Sequence, residues 1–223
     1  MMKTLSICVL VTASAAAFSL PDMDYLGKGK GKTIQWSMDS GDEWQKTFAG
    51  EMNLKLYTNQ GTSTLYGFCV DISRAVSDDK WGIQILTTDS LHPNGDRIAH
   101  IVNTYAPGVH ASGSDNEAMV IQAVVWELLY EESDTFDLTK GTFRARKENG
   151  DAFSSSVLND ANAKLADLGT SIAPYYKANW DGNCPVSQSF VTPVPEPGSV
   201  LGVAGLALGL ATAVVRRWKR NAS

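Results

Sequence analysis

Residues 119–130, MVIQAVVWELLY, narrow what this chain can become more than any other stretch. The run reads as the buried side of a helix. It begins just after Ser114, which has Glu117 three residues on: a capping box, in which each side chain satisfies a backbone N–H that the first helical turn leaves open. Ala118, Gln122, Val125 and Leu129 then fall on one face. The amide of Gln122 stands out on that face. A buried polar group without a partner costs about 1–3 kcal/mol, so a specific partner is expected for it.

Before that helix the pattern is that of strands. AGEMNLKLYT (49–58) alternates Met52, Leu54 and Leu56 against polar neighbours. STLYGFCVDISRAV (63–76) puts Tyr66, Phe68 and Val70 on one face and Gly67, Cys69 and Asp71 on the other. WGIQILTT (81–88) is a third strand and HPNGDR (92–97) a turn. RIAHIVNTYAPG (97–108) is expected to be a short helix stopped by Pro107 and Gly108. TFRARKE (142–148) is a short strand with Arg144 and Arg146 toward solvent, FSSSVLNDANAKLADLG (153–169) a helix ending at Gly169, and SQSFVTPV (187–194) a last strand. The glycine-rich LGKGKGKTIQW (26–36) is expected to be a flexible lead-in or a turn. Strands first, then helix and strand mixed, indicate an α+β fold: a β-sandwich or barrel-like sheet with a helical subdomain.

Both ends of the chain read as addresses. Residues 1–17 have Lys3, an apolar run from Leu5 to Val11 and a small-residue stretch at Ala15-Ala16-Ala17, the three-part pattern of a signal peptide. The other end has an uncharged stretch at 198–215, long enough for a thin transmembrane helix, followed at once by Arg216, Arg217, Lys219 and Arg220. Positive charge marks the cytoplasmic side, which places the body of the protein across the inner membrane. The remaining domain, about 18–192, is one ordinary domain with a real core. Taken to residue 193 it carries 14 Lys+Arg against 23 Asp+Glu, a net charge of −9. That acidity argues against nucleic acid and anionic lipid as partners.

Val194-Pro195-Glu196-Pro197, the apolar span and the basic cluster come in an order that resembles a PEP-CTERM sorting signal over 193–220. The resemblance implies a Gram-negative bacterium, processing by an exosortase near Pro-Glu-Pro, and release to the cell surface or a biofilm matrix rich in extracellular polysaccharide.

A second resemblance joins GFCVDI (67–72) to IQAVVWELLYE (121–131). The two resemble the halves of a thioester domain of surface adhesins, over roughly 45–150. Phe68-Cys69 matches the first half; Gln122 and Trp126 match the second in identity and spacing, while Ile121 and Val124 stand where the pattern has threonine and alanine. The resemblance implies an internal Cys69–Gln122 thioester, formed with loss of ammonia, that couples once to an amine on an extracellular target. Such a chain is a single-use coupler and not an enzyme, with no catalytic residues, no metal and no cofactor.

Other readings of the same residues stand beside it. Cys69 and Cys184 in an oxidising compartment suit a disulfide, and the chain is then a non-covalent matrix module with Tyr175, Tyr176 and Trp180 as exposed aromatics for sugar stacking. Cys69 with His110 would suit a cysteine hydrolase. The spacing of His92, His100 and His110 matches no helical zinc pattern, and Asp39, Asp42 and Glu43 lack EF-hand spacing.

Overall fold

The computed structural model describes residues 21–181, 184–185 and 187–194, with residues 180, 181, 184 and 185 described by backbone alone. The expected signal peptide (1–17), Pro195-Glu196-Pro197, the apolar span at 198–215 and the basic cluster at 216–220 lie outside the described residues. No helix among the described residues is long and apolar enough to cross a membrane.

Among the described residues the fold is α+β, a large antiparallel sheet with three helices. Strands β1 (Asp22–Ser37), β2 (Gln45–Thr58) and β3 (Gly61–Cys69) run consecutively, and β4 (Trp81–Thr87) follows. A single 3-10 turn at Thr88–Ser90 leads to helices α1 (Gly95–Ser112) and α2 (Asp115–Tyr130). After β5 (Arg144–Lys147) and α3 (Ser155–Ala166) come β6 (Pro174–Ala178), a two-residue pair β7 (Trp180–Asp181) and β8 (Cys184–Pro185), and β9 (Phe190–Val191). The order in the main sheet is β2-β3-β9-β6-β4-β1-β5, and β1 also pairs with β2. That extra pairing joins six strands into a ring, with β5 outside it on the end of β1. Met23, Leu54, Leu56, Phe68, Ile83, Ala178 and Phe190, one from each ring strand but for two on β2, are fully buried or nearly so.

The stretch expected to be a flexible lead-in is the second half of β1, the longest strand. Its alternation is hidden by two register shifts against β2, between Tyr25 and Gly27 and between Lys28 and Gly31. Gly31 faces Gly50 across the ladder with both in the positive-φ region. A Cβ on Gly31 would lie 2.4 Å from the Ala49 carbonyl oxygen, and one on Gly50 would lie 2.2 Å from that of Lys30. The glycines are there because two backbones meet, as at a β-bulge. β6 was not anticipated at all.

Pro107 does not stop α1, which runs on to Ser112. Proline removes one helical hydrogen bond, but the last turn is held from outside: Val109 is buried, and Lys30 Nζ donates to the carbonyls of Val109 (2.8 Å) and His110 (2.7 Å). α2 begins at the expected capping box, with both reciprocal bonds formed. Every residue from Ala118 to Leu128 is buried, because β1, β2, β3, α1 and α3 all pack on this helix. The single apolar face expected for α2 is thus too narrow a description. α3 ends at Ala166, before Gly169.

Candidate functional site

β3 and β2 stay paired as far as Met52↔Gly67. Beyond that point the backbone of Cys69 has β9 on one side, through Cys69↔Phe190. The other side is taken by a side chain. The Cys69 N–H donates to Gln122 Oε1 (2.9 Å), and Gln122 Nε2 donates to the Cys69 carbonyl (2.8 Å). The amide of Gln122 therefore continues the ladder where the pairing of β3 with β2 ends, its oxygen and nitrogen standing in for a peptide group. Both residues are buried, Gln122 completely. The partner that a buried amide requires is Cys69, from a position 53 residues earlier in the chain.

The Cys69 sulfur sits beside this contact. Its Sγ accepts from the Asp71 N–H and donates to the Asp71 carbonyl, each at 3.2 Å. Burial pushes the thiol well above its ordinary pKa; the Asp71 backbone bond works against this and the Asp71 charge adds to it. The sulfur is therefore a protonated thiol at neutral pH.

α2 grips the end of β3 a second time. Tyr130, eight residues after Gln122, donates its hydroxyl to the Val70 carbonyl (2.9 Å) and accepts from the Ile72 N–H (3.3 Å). Burial drives the tyrosine pKa up. Trp126 lies one turn after Gln122 and is buried, and a helical side chain covers the turn before its own Cα, so the indole roofs the Gln122 turn. Phe68 is fully buried in the same core. The regular spacing Gln122, Trp126, Tyr130 is the signal from which Tyr130 could have been found in the sequence.

Chemically, the arrangement presents a thiol and a carboxamide at one backbone position. Addition to the amide carbon of Gln122 gathers negative charge on Oε1, and a donor already points at that oxygen: the Cys69 N–H.

The other candidates are dispersed. His110 does not touch the Cys69 sulfur, whose hydrogen bonds both go to Asp71; it stacks on Tyr66 (3.8 Å between ring centroids) with Nδ1 3.3 Å from buried Glu51. His100 lies near Asp167, and His92 Nδ1 accepts from the Asn94 N–H. Among the described residues no three His, Cys, Asp or Glu side chains converge as a metal site. The Asp39 carboxylate accepts from the N–H groups of Asp42 and Glu43, closing its own turn. Tyr175 and Tyr176 are buried in β6 and present no stacking platform; the Trp180 and Cys184 side chains lie outside the description. Arg144 and Arg146 alternate with buried Ala145 and are partly exposed; Arg146 stacks on Trp44, 3.7 Å from the ring centroid, and donates to Gln35 Oε1 (2.7 Å). Of the sorting motif only Val194 is described, and it is exposed.

Sequence reasoning also passed over Glu127. Its side chain is fully buried on α2, with Oε1 accepting from the Asp137 N–H (2.7 Å) and Oε2 without a partner. Burial pushes its pKa up to about 8, with the Asp137 N–H working against this and the charges of Glu131 and Asp137 adding to it.

No protein-family model matches the chain, and no curated protein or solved structure matches it.

Proposed function

We propose that this chain forms an internal thioester between Cys69 and Gln122 and uses it once to couple to an amine on an extracellular surface. The observation that carries the reading is the pairing of the Gln122 amide with both backbone groups of Cys69. The two bonds hold the Gln122 carboxamide to the backbone of Cys69, a buried cysteine, with an N–H on its oxygen. Formation is balanced without a co-reactant. The sulfur bonds to the Gln122 carbonyl carbon, the carbon–nitrogen bond breaks, and the nitrogen leaves as ammonia with the thiol proton. Holding the groups together lowers the barrier because the attack becomes unimolecular.

In this reading the ring of strands is a barrel-like sheet and the helices a subdomain that delivers Gln122 to it. The chain is exported by its signal peptide, held at the inner membrane by the segment at 198–215, cut by an exosortase at Val194-Pro195-Glu196-Pro197 and passed to the cell surface or matrix.

Intact mass tests the reading on the full chain, purified without reductant and away from amines. The expected mass is one ammonia below that calculated, restored in Cys69→Ala and in Gln122→Ala and raised by methylamine. A mass two hydrogens low and reversed by reductant would replace the thioester by a Cys69–Cys184 disulfide.

A further inference from the structure

Both hydrogen bonds of the Cys69 sulfur go to one residue, Asp71, and the side chain of that residue reaches partly into solvent. Cys69 and Gln122 are themselves closed off. Asp71 thus joins the sulfur to solvent, and a nucleophile that enters past this residue passes its carboxylate. The carboxylate belongs to the residue whose backbone N–H and carbonyl both bond the sulfur. Asp71 is not idle: Arg74 Nε lies 2.7 Å from its Oδ2, and Ser73 donates to its Oδ1 at 3.0 Å. Both partners are on the same short loop and partly or fully exposed, so an incoming cation can exchange with the guanidinium at small cost.

We propose that Asp71 selects a protonated primary amine as the nucleophile and takes its proton, with Arg74 occupying the amine's place until it arrives. The inference rests on the thioester reading. The steps balance. An alkylammonium displaces Arg74 and gives one proton to the Asp71 carboxylate. The neutral amine attacks the Gln122 carbonyl carbon, a carbon–nitrogen bond forms, and the carbon–sulfur bond breaks. The Cys69 sulfur leaves and takes a second proton from the nitrogen, so that an amide, a thiol and a protonated Asp71 remain. A hydroxyl nucleophile has no positive charge for Asp71 to hold, and the site therefore favours lysine side chains over sugar hydroxyls.

Two reagents read this in the purified full chain. Methylamine is charged at neutral pH and hydroxylamine is not. In Asp71→Asn the rate of methylamine uptake is expected to fall about a hundredfold, the lower range of a lost general base, while the hydroxylamine rate stays within about twofold of wild type. In Arg74→Ala methylamine uptake is expected to rise about threefold, as an exposed ion pair is removed. Equal loss toward both reagents in Asp71→Asn would reduce Asp71 to packing and overturn the proposal, as would wild-type rates with both. Should Asp71→Asn fail to fold, Arg74→Ala decides, and an unchanged methylamine rate overturns it. A wild-type chain at full calculated mass ends the thioester reading itself, before any variant is compared.

Discussion

Gln122 and Glu127 are both completely buried polar side chains on α2, less than two turns apart, and their surroundings are opposite. Gln122 has its oxygen and its nitrogen bonded to one residue of β3. Glu127 has one oxygen on a loop N–H and the other on nothing. A neutral amide placed this way needs no ion and costs little, because each of its bonds replaces one that the strand would otherwise lack. A carboxyl with one open oxygen keeps its proton instead of its charge. Four residues on, Glu131 makes the opposite choice. Burial pushes its pKa up, but N–H bonds from Ser133, Phe143 and Thr142 outweigh this and hold it below the ordinary carboxylate value. One helix and its C-cap thus carry a satisfied amide, a protonated acid and an ionised acid, told apart by how many donors reach them.

The most severe test of this contrast is Gln122→Ala. It strips the Cys69 N–H and carbonyl of their partners and leaves a cavity. About 3–4 kcal/mol of stability should be lost, from two unsatisfied backbone groups and the missing side chain. Urea unfolding measures it, and a loss below about 1 kcal/mol would mean that water or β2 can take over the ladder there.

Glu127 gives the next largest effect, and it depends on pH. Its folded pKa, about 8, lies above the ordinary value of 4.5. Between those values the folded chain keeps a proton that the unfolded chain has lost. The stability from this group is therefore complete below about 4.5, falls as pH rises through the window with a limiting slope of about 1.4 kcal/mol per unit, and is gone above about 8. Glu131 and Asp137, both held below their ordinary values, act in the other direction and lose their contribution only as pH falls below the usual carboxylate range. Glu127→Gln keeps an acceptor for the Asp137 N–H and has nothing to ionise. Its unfolding midpoint in urea should gain on wild type as pH is raised from about 5 to about 8; parallel curves would show that Glu127 is charged in the folded state.

How much of this could be read in the chain depends on how local the cause is. The capping box and the apolar run announce α2 because they act within one helix, and the alternation in 49–58 announces β2 because one strand carries it. The meeting of Cys69 with Gln122 was legible only through a resemblance, since nothing near either residue points to the other. β1 was lost because Gly31 and Gly50 are explained only by each other across the ladder, and Pro107 misled because the carbonyls after it are held by Lys30, from another element altogether. Glu127 was invisible for a similar reason: its one donor comes from the loop after the helix. Asp71 was placed with Cys69 on the strand pattern, but its bonds to the sulfur come from the bend that ends β3, which alternation does not describe.

The smallest of the expected effects separates the two grips of α2 on β3. Tyr130→Phe removes one hydroxyl that bridges the Val70 carbonyl and the Ile72 N–H, and it preserves the ring's packing against Phe143. The loss should be about 1–2 kcal/mol in urea unfolding. Its consequence for Cys69 is more informative than its size. The segment from Val70 to Ile72 carries the Asp71 backbone groups that hold the sulfur. With the bridge gone, that segment opens more often while Gln122 still holds Cys69 by its own N–H and carbonyl. Once methylamine has opened the thioester, alkylation of the freed Cys69 thiol under native conditions should then speed up by about tenfold, in proportion to the local opening. An alkylation rate equal to wild type, at reduced global stability, would show that the sulfur is shielded through the Gln122 contact alone and that the two grips act independently.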